Sequence, residues 1–306
     1  MIRPTLVAVK KHEPRPGQVW LAHVGALVRL ARPRQWIKNL LVWAALLFSG
    51  ELFSLQAVGQ TLLVFCSFCL VSSAVYCLND MLDAPFDRLH PQKRFRPVAS
   101  GLITPVEAIG AALGLAMAGL ALEYFAHPAA DGVLLLYLFV NLLYSLWLKQ
   151  VVLLDIMAVA SGFLLRAVGG AVAIDVGISR WFLFSVLLLS LFLATVKRRH
   201  EVSSSKTPME LRRVLAEYPL QLLDAMISVF AGASIITYLF YAMEAARPPL
   251  FVVTSGFVFY GVFRYLYLVY RRGGGGNPEE PFLRDRPLLT AVSLWALSSA
   301  VILYGS

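Results

Sequence analysis

The chain has 306 residues, of which 58% are hydrophobic and only 15% charged, with a net charge of +9 and a mean hydropathy of +0.70. That composition excludes a soluble domain of this size. It also removes the usual reason to read a basic chain as a nucleic-acid binder, because basic loops on one side of a membrane account for the charge more simply.

In chain order, the N-terminal stretch MIRPTLVAVKKHEPRPG lacks an apolar core, so a cleaved signal peptide is not expected. Residues 18–32, QVWLAHVGALVRLAR, read as an amphipathic helix lying on the membrane surface. They complete a cytoplasmic arm over 1–37, ahead of a transmembrane domain over 38–306. Runs of about twenty apolar residues are long enough to cross a bilayer as helices, and lipid tolerates no unsatisfied backbone. The signal is longer and stronger than the alternating pattern of a membrane barrel. Nine spans are expected, near 38–54, 57–79, 105–125, 131–148, 152–174, 181–197, 220–243, 249–270 and 287–304. The fold class is an all-α membrane protein with nine transmembrane helices.

Lys and Arg test the topology. With the N-terminus inside, the cytoplasmic segments hold eight in the N-terminal arm up to and including Lys38, four in 88–96, Lys149, six in 197–213 and four in 271–286, which is 23 of the 27. The remaining four are Arg166, Arg180, Arg247 and Arg264. This one-sided placement predicts N-in, C-out. Cys66, Cys69 and Cys77 sit in one apolar run and read as buried structural thiols. Gly110 and Gly114 form a GxxxG that predicts close helix packing.

The chemistry concentrates at LNDMLDAPFDRLHPQKRFRPVASG, residues 78–101. A helix turns by about 100° per residue, so Asn79, Asp80, Asp83 and Asp87 share one face, although Pro85 is expected to break or kink the helix there. Three carboxylates at a membrane helix end repel one another unless a divalent cation lies among them. Oxygen donors without Cys or His point to Mg²⁺, with Asp80, Asp83 and Asp87 as its ligands. Mg²⁺ held this way completes its shell with water and phosphate, so a diphosphate is expected. Lys93, Arg94 and Arg96 would meet its remaining oxygens, and Asn79 would hold the diphosphate or the sugar.

NDMLDAPFD resembles the first aspartate-rich motif of the UbiA superfamily of intramembrane prenyltransferases, and the resemblance covers nearly the whole chain. It implies helices arranged around a central cavity open to lipid. RPRQWIKN (32–39), HPQKRFRPVASG (90–101), YSLWLK (144–149), LLDIMAVASGFLLRAVGGA (153–171), WFLF (181–184) and KRRHE (197–201) look closer to one branch, the decaprenyl-phosphate phosphoribosyltransferases. Prenyl-diphosphate enzymes of the superfamily carry a second motif, D-x-x-x-D, after the sixth span, where this chain has KRRHE. A basic motif suits a second, metal-free phosphate. Lys197 and Glu201 stack at i, i+4, so Glu201 is expected to orient Lys197.

The resemblance implies Mg²⁺-dependent transfer of a 5-phosphoribosyl group from phosphoribosyl diphosphate to a polyprenyl phosphate, at a site facing the cytoplasm of the plasma (inner) membrane. Asp80, Asp83 and Lys197 are the expected catalytic residues, and Arg198 a phosphate ligand. Arg34 and Lys38, one turn apart, either grip a phosphate or anchor the first span in headgroups. Tyr144 and Lys149 close span four on the same side, with Lys149 a phosphate ligand. Arg166, deep in span five, either contacts substrate or forms an internal ion pair. Arg264 either snorkels or pairs with Asp224. The rival readings are a true prenyltransferase with one acidic motif and a transporter. A homo-oligomer is left open as a further partner.

Overall fold

The computed structural model describes residues 16–204, 213–244, 247–272, 275–276 and 279–305. Residues 1–15 of the N-terminal arm, ahead of the first helix, therefore lie outside the described residues. Among the described residues the chain is helical throughout, with no strand.

Helix α1, Pro16–Ala31, is followed by a ten-residue 3-10 helix, Pro33–Val42, that runs into the seven-residue α2, Trp43–Ser49. Then come α3 (Leu55–Asp87), α4 (Pro105–Ala126), α5 (Asp131–Leu146), α6 (Leu154–Ala173), α7 (Arg180–Ser204), the short α8 (Arg213–Ala216), α9 (Leu220–Ala242), α10 (Ser255–Arg272), α11 (Glu279–Arg284) and α12 (Arg286–Tyr304). Among the described residues, eight helices are long and apolar enough to cross a membrane, and they coincide with eight of the nine expected spans. The expected span 38–54 is the exception. Pro33 and the left-handed Arg32 before it, φ 53°, start a tighter helix. At about 2.0 Å rise for 3-10 turns and about 1.5 Å for α-helix, its two parts together reach roughly 30 Å.

Helix α1 packs Ala26 and Leu30 into a core with Ala74, Cys77, Ala84, Val98 and Ile103, while Trp20, Leu21 and Val28 face outward. One apolar face is thus buried in the protein and another is left for lipid. Pro85 does not end α3, which continues to Asp87. Pro85 lies near the helix end, where the backbone bond it forfeits is among the last. A Cβ on Gly110 or Gly114 would meet nothing within 4 Å, so the GxxxG is not a packing seam within this chain. The close approaches are elsewhere: a Cβ on Gly119 would lie 2.7 Å from the Val71 side chain, and one on Gly170 would lie 2.0 Å from the Val42 carbonyl oxygen. Gly170 therefore seats the 3-10 segment against α6. Cys69 and Cys77 are buried and Cys66 half-buried, all as free thiols.

Candidate active site

The successive long helices alternate in direction. The C-terminal end of α3 therefore meets the ends of α5 and α7 and the starts of α4, α6 and α9 at one face of the molecule. The aspartates lie there.

Asp80 is buried, and its Oδ1 is 3.0 Å from Arg32 Nη2 and 3.8 Å from Arg96 Nε. The Val98 backbone N–H donates to its Oδ2 at 3.4 Å. Asp87, also buried, holds Arg96 Nη1 at 2.5 Å. Asp83 accepts from Lys149 Nζ at 2.9 Å. Each carboxylate is thus neutralised by a basic side chain, a sensible arrangement for anions at a membrane end. Among the described residues no three His, Cys, Asp or Glu side chains are gathered into one metal-binding set; Asp80, Asp83 and Asp87 each turn to a basic partner. Asp80 faces Arg32 and the Val98 backbone amide. Asp83 and Asp87 stand one turn apart on the same face, as hard oxygen donors with Asn79 half-buried a further turn back. That pair fits a hard divalent cation in donor chemistry, with Lys149 and Arg96 as the groups a cation and its phosphate would displace or engage.

The second constellation surrounds KRRHE at the end of α7. Arg198 is buried and fully engaged: Nε lies 2.6 Å from Asp155 Oδ2, Nη1 2.5 Å from Glu201 Oε2, and Nη2 donates to the Tyr144 hydroxyl at 2.9 Å. The Tyr218 hydroxyl donates to Asp155 Oδ1 at 2.6 Å and accepts from the Leu153 N–H at 2.6 Å. Burial, reinforced by Asp155, pushes the Tyr218 hydroxyl well above its usual range, so it stays a neutral donor. Arg198, expected as a phosphate ligand, spends its donors on protein acceptors in this arrangement. It is a strut between α5, α6 and α7, because a buried guanidinium demands acceptors on every side. Arg199 pairs with Asp224 and lies over the Tyr270 ring. Glu201 bonds Arg198, though its charge also acts on Lys197. Lys197 is the remaining cation of the motif, with no hydrogen-bond or ion-pair partner among the described residues. It lies within the field of Lys38, Arg198, Glu201 and Tyr144. Lys38 reaches Gln35 Oε1 at 2.5 Å. Two amines, from the 3-10 segment and from α7, thus lie within each other's field and repel each other unless an anion lies between them.

Arg34, Lys93 and Arg94 are exposed at the same face. Arg166 is buried away from it. Its Nε donates to Asn39 Oδ1 at 2.6 Å, Nη1 to the Gly162 carbonyl at 2.6 Å and Nη2 to the Tyr137 hydroxyl at 2.8 Å. It has no carboxylate partner among the described residues, and neutral acceptors plus the Tyr137 ring at 4.7 Å carry it. Of the two expected roles, substrate contact or an internal ion pair, the second has no counterpart among the described residues. Arg264 pairs with Asp285 at 2.9 and 3.0 Å and not with Asp224. Asp285 also caps α12 through the Leu288 N–H. Sequence reasoning missed Arg32, Asn39, Tyr137 and Tyr218 as organisers. Only Arg32 carried a local sign, standing before a proline, where the right-handed helical conformation is disfavoured.

The UbiA prenyltransferase family matches residues 40–279. The chain belongs to that family. A protein of Mycolicibacterium smegmatis named decaprenyl-phosphate phosphoribosyltransferase is 35% identical over 92% of this chain and 94% of its own length. One of the same name from Corynebacterium glutamicum is 31% identical over 98% of this chain and 93% of its own. Among solved structures, a UbiA homologue from Archaeoglobus fulgidus bound to GPP and Mg²⁺ superposes with a TM-score of 0.71 at 17% identity, covering 92% of this chain and 100% of that one. This last likeness is one of fold.

Proposed function

We propose that the chain is a polyprenyl-phosphate phosphoribosyltransferase, moving a 5-phosphoribosyl group from phosphoribosyl diphosphate to a decaprenyl-like phosphate. The observation that carries this reading is the near full-length match to two relatives bearing that activity in their names. The site geometry supports it. An aspartate pair suited to a metal diphosphate stands at the same face as Lys38 and Lys197, which suit a phosphate without a metal. The broader family reading, prenyl transfer from a prenyl diphosphate, is the alternative.

In the proposed reaction an oxygen of the lipid phosphate forms a bond to C1 of ribose. The bond from C1 to the diphosphate oxygen breaks, and its electron pair leaves with the diphosphate. The acceptor phosphate has a second pKa of about 6, so it arrives as an anion and needs no dedicated base. When bound, Mg²⁺ would neutralise charge on the departing diphosphate, with Asp83 and Asp87 as its ligands. Asn79 holds the diphosphate or ribose. Arg96, Lys149, Lys93 and Arg94 meet diphosphate oxygens, and each of the first two exchanges an aspartate partner for phosphate. Lys38 and Lys197, with Arg34 at the rim, hold the metal-free phosphate. Asp80 positions Arg32 and Arg96. Tyr144 and Glu201 position Arg198 and, through it, the turn bearing Lys197. Catalysis on this account is orientation plus charge stabilisation.

We also infer the finer topology: Pro33–Ser49 supplies a ninth crossing, the N-terminus lies inside, and the site faces the cytoplasm of the plasma membrane. The basic-loop count supports this.

The test uses purified protein, Mg²⁺, a short polyprenyl phosphate and phosphoribosyl diphosphate labelled in the ribose. Label entering the lipid phase, and lost on adding EDTA, is the expected result. No label, together with consumption of a prenyl diphosphate, would overturn the reading in favour of prenyl transfer.

A further inference from the structure

The end of the molecule opposite the aspartates carries a charged cavity. It is lined by Ile178, Ser179, Arg180, Trp181, Phe184 and Glu244 and measures about 520 Å³. Helix α7 begins here and α9 ends here, so the lining comes from the two ends and not from the KRRHE turn. Arg180 is exposed and has no ion-pair or hydrogen-bond partner among the described residues. Glu244, which lines the cavity, accepts from the Ser179 hydroxyl through Oε1 at 2.6 Å, and its Oε2 has no hydrogen-bond or ion-pair partner among the described residues.

One cation and one anion thus flank the same opening without pairing with each other. Beside them the lining turns aromatic. Trp181 is 39% and Phe184 51% exposed, and the Trp181 ring lies 4.7 Å from that of Phe240. Tryptophan at a membrane interface marks the headgroup level. The arrangement is polar at one end, with opposite charges side by side, and apolar along the helices running into the membrane.

Behind Ser179 a smaller cavity of about 30 Å³ adjoins, lined in part by Tyr241 and Arg247. The Tyr241 hydroxyl and Arg247 Nε are buried there without a hydrogen-bond partner. That space suits one water molecule held by two polar groups. Its effect is to fix the Ser179 wall from behind.

We propose that the cavity at Arg180 and Glu244 is a binding site for the headgroup of a zwitterionic aminophospholipid. Arg180 takes the phosphodiester, Glu244 the ammonium, and the acyl chains lie along Trp181, Phe184 and Phe240. A guanidinium suits phosphate oxygens through paired N–H donors, and an ammonium offers three donors to a carboxylate. An anionic headgroup lacking the amine would satisfy Arg180 but meet repulsion from Glu244, so the pair selects for the zwitterion. The site is remote from the proposed transfer chemistry and does not rest on it.

Native mass spectrometry of the detergent-solubilised full chain, titrated with phosphatidylethanolamine and with phosphatidylglycerol, tests the assignment. The expected result is retention of phosphatidylethanolamine about tenfold tighter than phosphatidylglycerol. Arg180→Gln should weaken both lipids. Glu244→Gln should close the gap between them, chiefly by weakening the amine lipid. Arg180→Lys, which keeps the charge, should retain most of the binding and so separates recognition from misfolding. Equal retention of the two lipids by the wild-type chain, or unchanged phosphatidylethanolamine binding in Arg180→Gln and Glu244→Gln, would overturn the proposal. Binding of soluble phosphoethanolamine as tight as that of the lipid would overturn the assignment to a membrane lipid.

Discussion

Replacing Asp155 by asparagine keeps the side-chain shape and removes one charge from a buried network. Asp155 is fully buried and Arg198 nearly so, at 2.6 Å. Two unit charges about 4 Å apart interact by about 4 kcal/mol at an effective dielectric of 20. Breaking a buried pair by deleting one partner typically costs about 3–5 kcal/mol, because the other charge stays buried and uncompensated. The Asp155→Asn chain should lose stability on that scale. Glu201→Gln, which touches the same guanidinium but at a carboxylate 31% exposed, should lose about 1 kcal/mol or less. Denaturant unfolding in a fixed detergent, followed by tryptophan fluorescence, reads both. Asp155→Asn combined with Arg198→Met removes both charges, and most of the lost stability should return. If Asp155→Asn unfolds at the wild-type midpoint, or if the double variant is no more stable than the single, Arg198 is not the strut described.

Asp83→Ala should abolish turnover, by about a thousandfold or more for a group acting on the transferring charge, while leaving the unfolding midpoint near wild type. Asp80→Ala should lower the midpoint as well, since it strands Arg32, and a comparison of the two in the same unfolding assay checks the separation. Lys197→Ala should raise KM for one phosphate substrate by roughly tenfold, the loss of one charge-assisted hydrogen bond of about 1.5 kcal/mol, as measured by initial rates against each substrate in turn. Gly170→Ala should destabilise by about 3 kcal/mol or more through overpacking against the Val42 carbonyl, whereas Gly110→Ala should shift the unfolding midpoint hardly at all.

The long spans were legible because twenty apolar residues in lipid have few alternatives to a helix. The 3-10 segment was not, since Pro33, Arg34, Gln35 and Lys38 break the hydropathy while Gly170, far along the chain, supplies the groove that accepts it. The aspartates could be located, and their common face followed from helical spacing. Their partners could not be assigned: Arg32 is 48 residues from Asp80, and Lys149 is 66 from Asp83. Sequence proximity favoured Lys93, Arg94 and Arg96; of these Arg96 turns to Asp80 and Asp87, while the other two stay exposed. For KRRHE the sequence shows five polar residues in a row but not which one the helix turns inward. Asp155 and Tyr218 from other elements decide that Arg198 is consumed, leaving Lys197.

Helix α3 runs unbroken for 33 residues, about 50 Å at helical rise, against a hydrocarbon layer of about 30 Å. Asn79, Asp83 and Asp87 therefore ride on the thread of a single screw. Inserting one residue upstream would lift them by only about 1.5 Å but swing them by about 100°, away from Lys149 and Arg96. Inserting four would nearly restore the bearing while raising the whole set by about 6 Å. Height above the lipid and compass direction toward the phosphates are thus locked together in one count of residues, and neither can drift in evolution without the other.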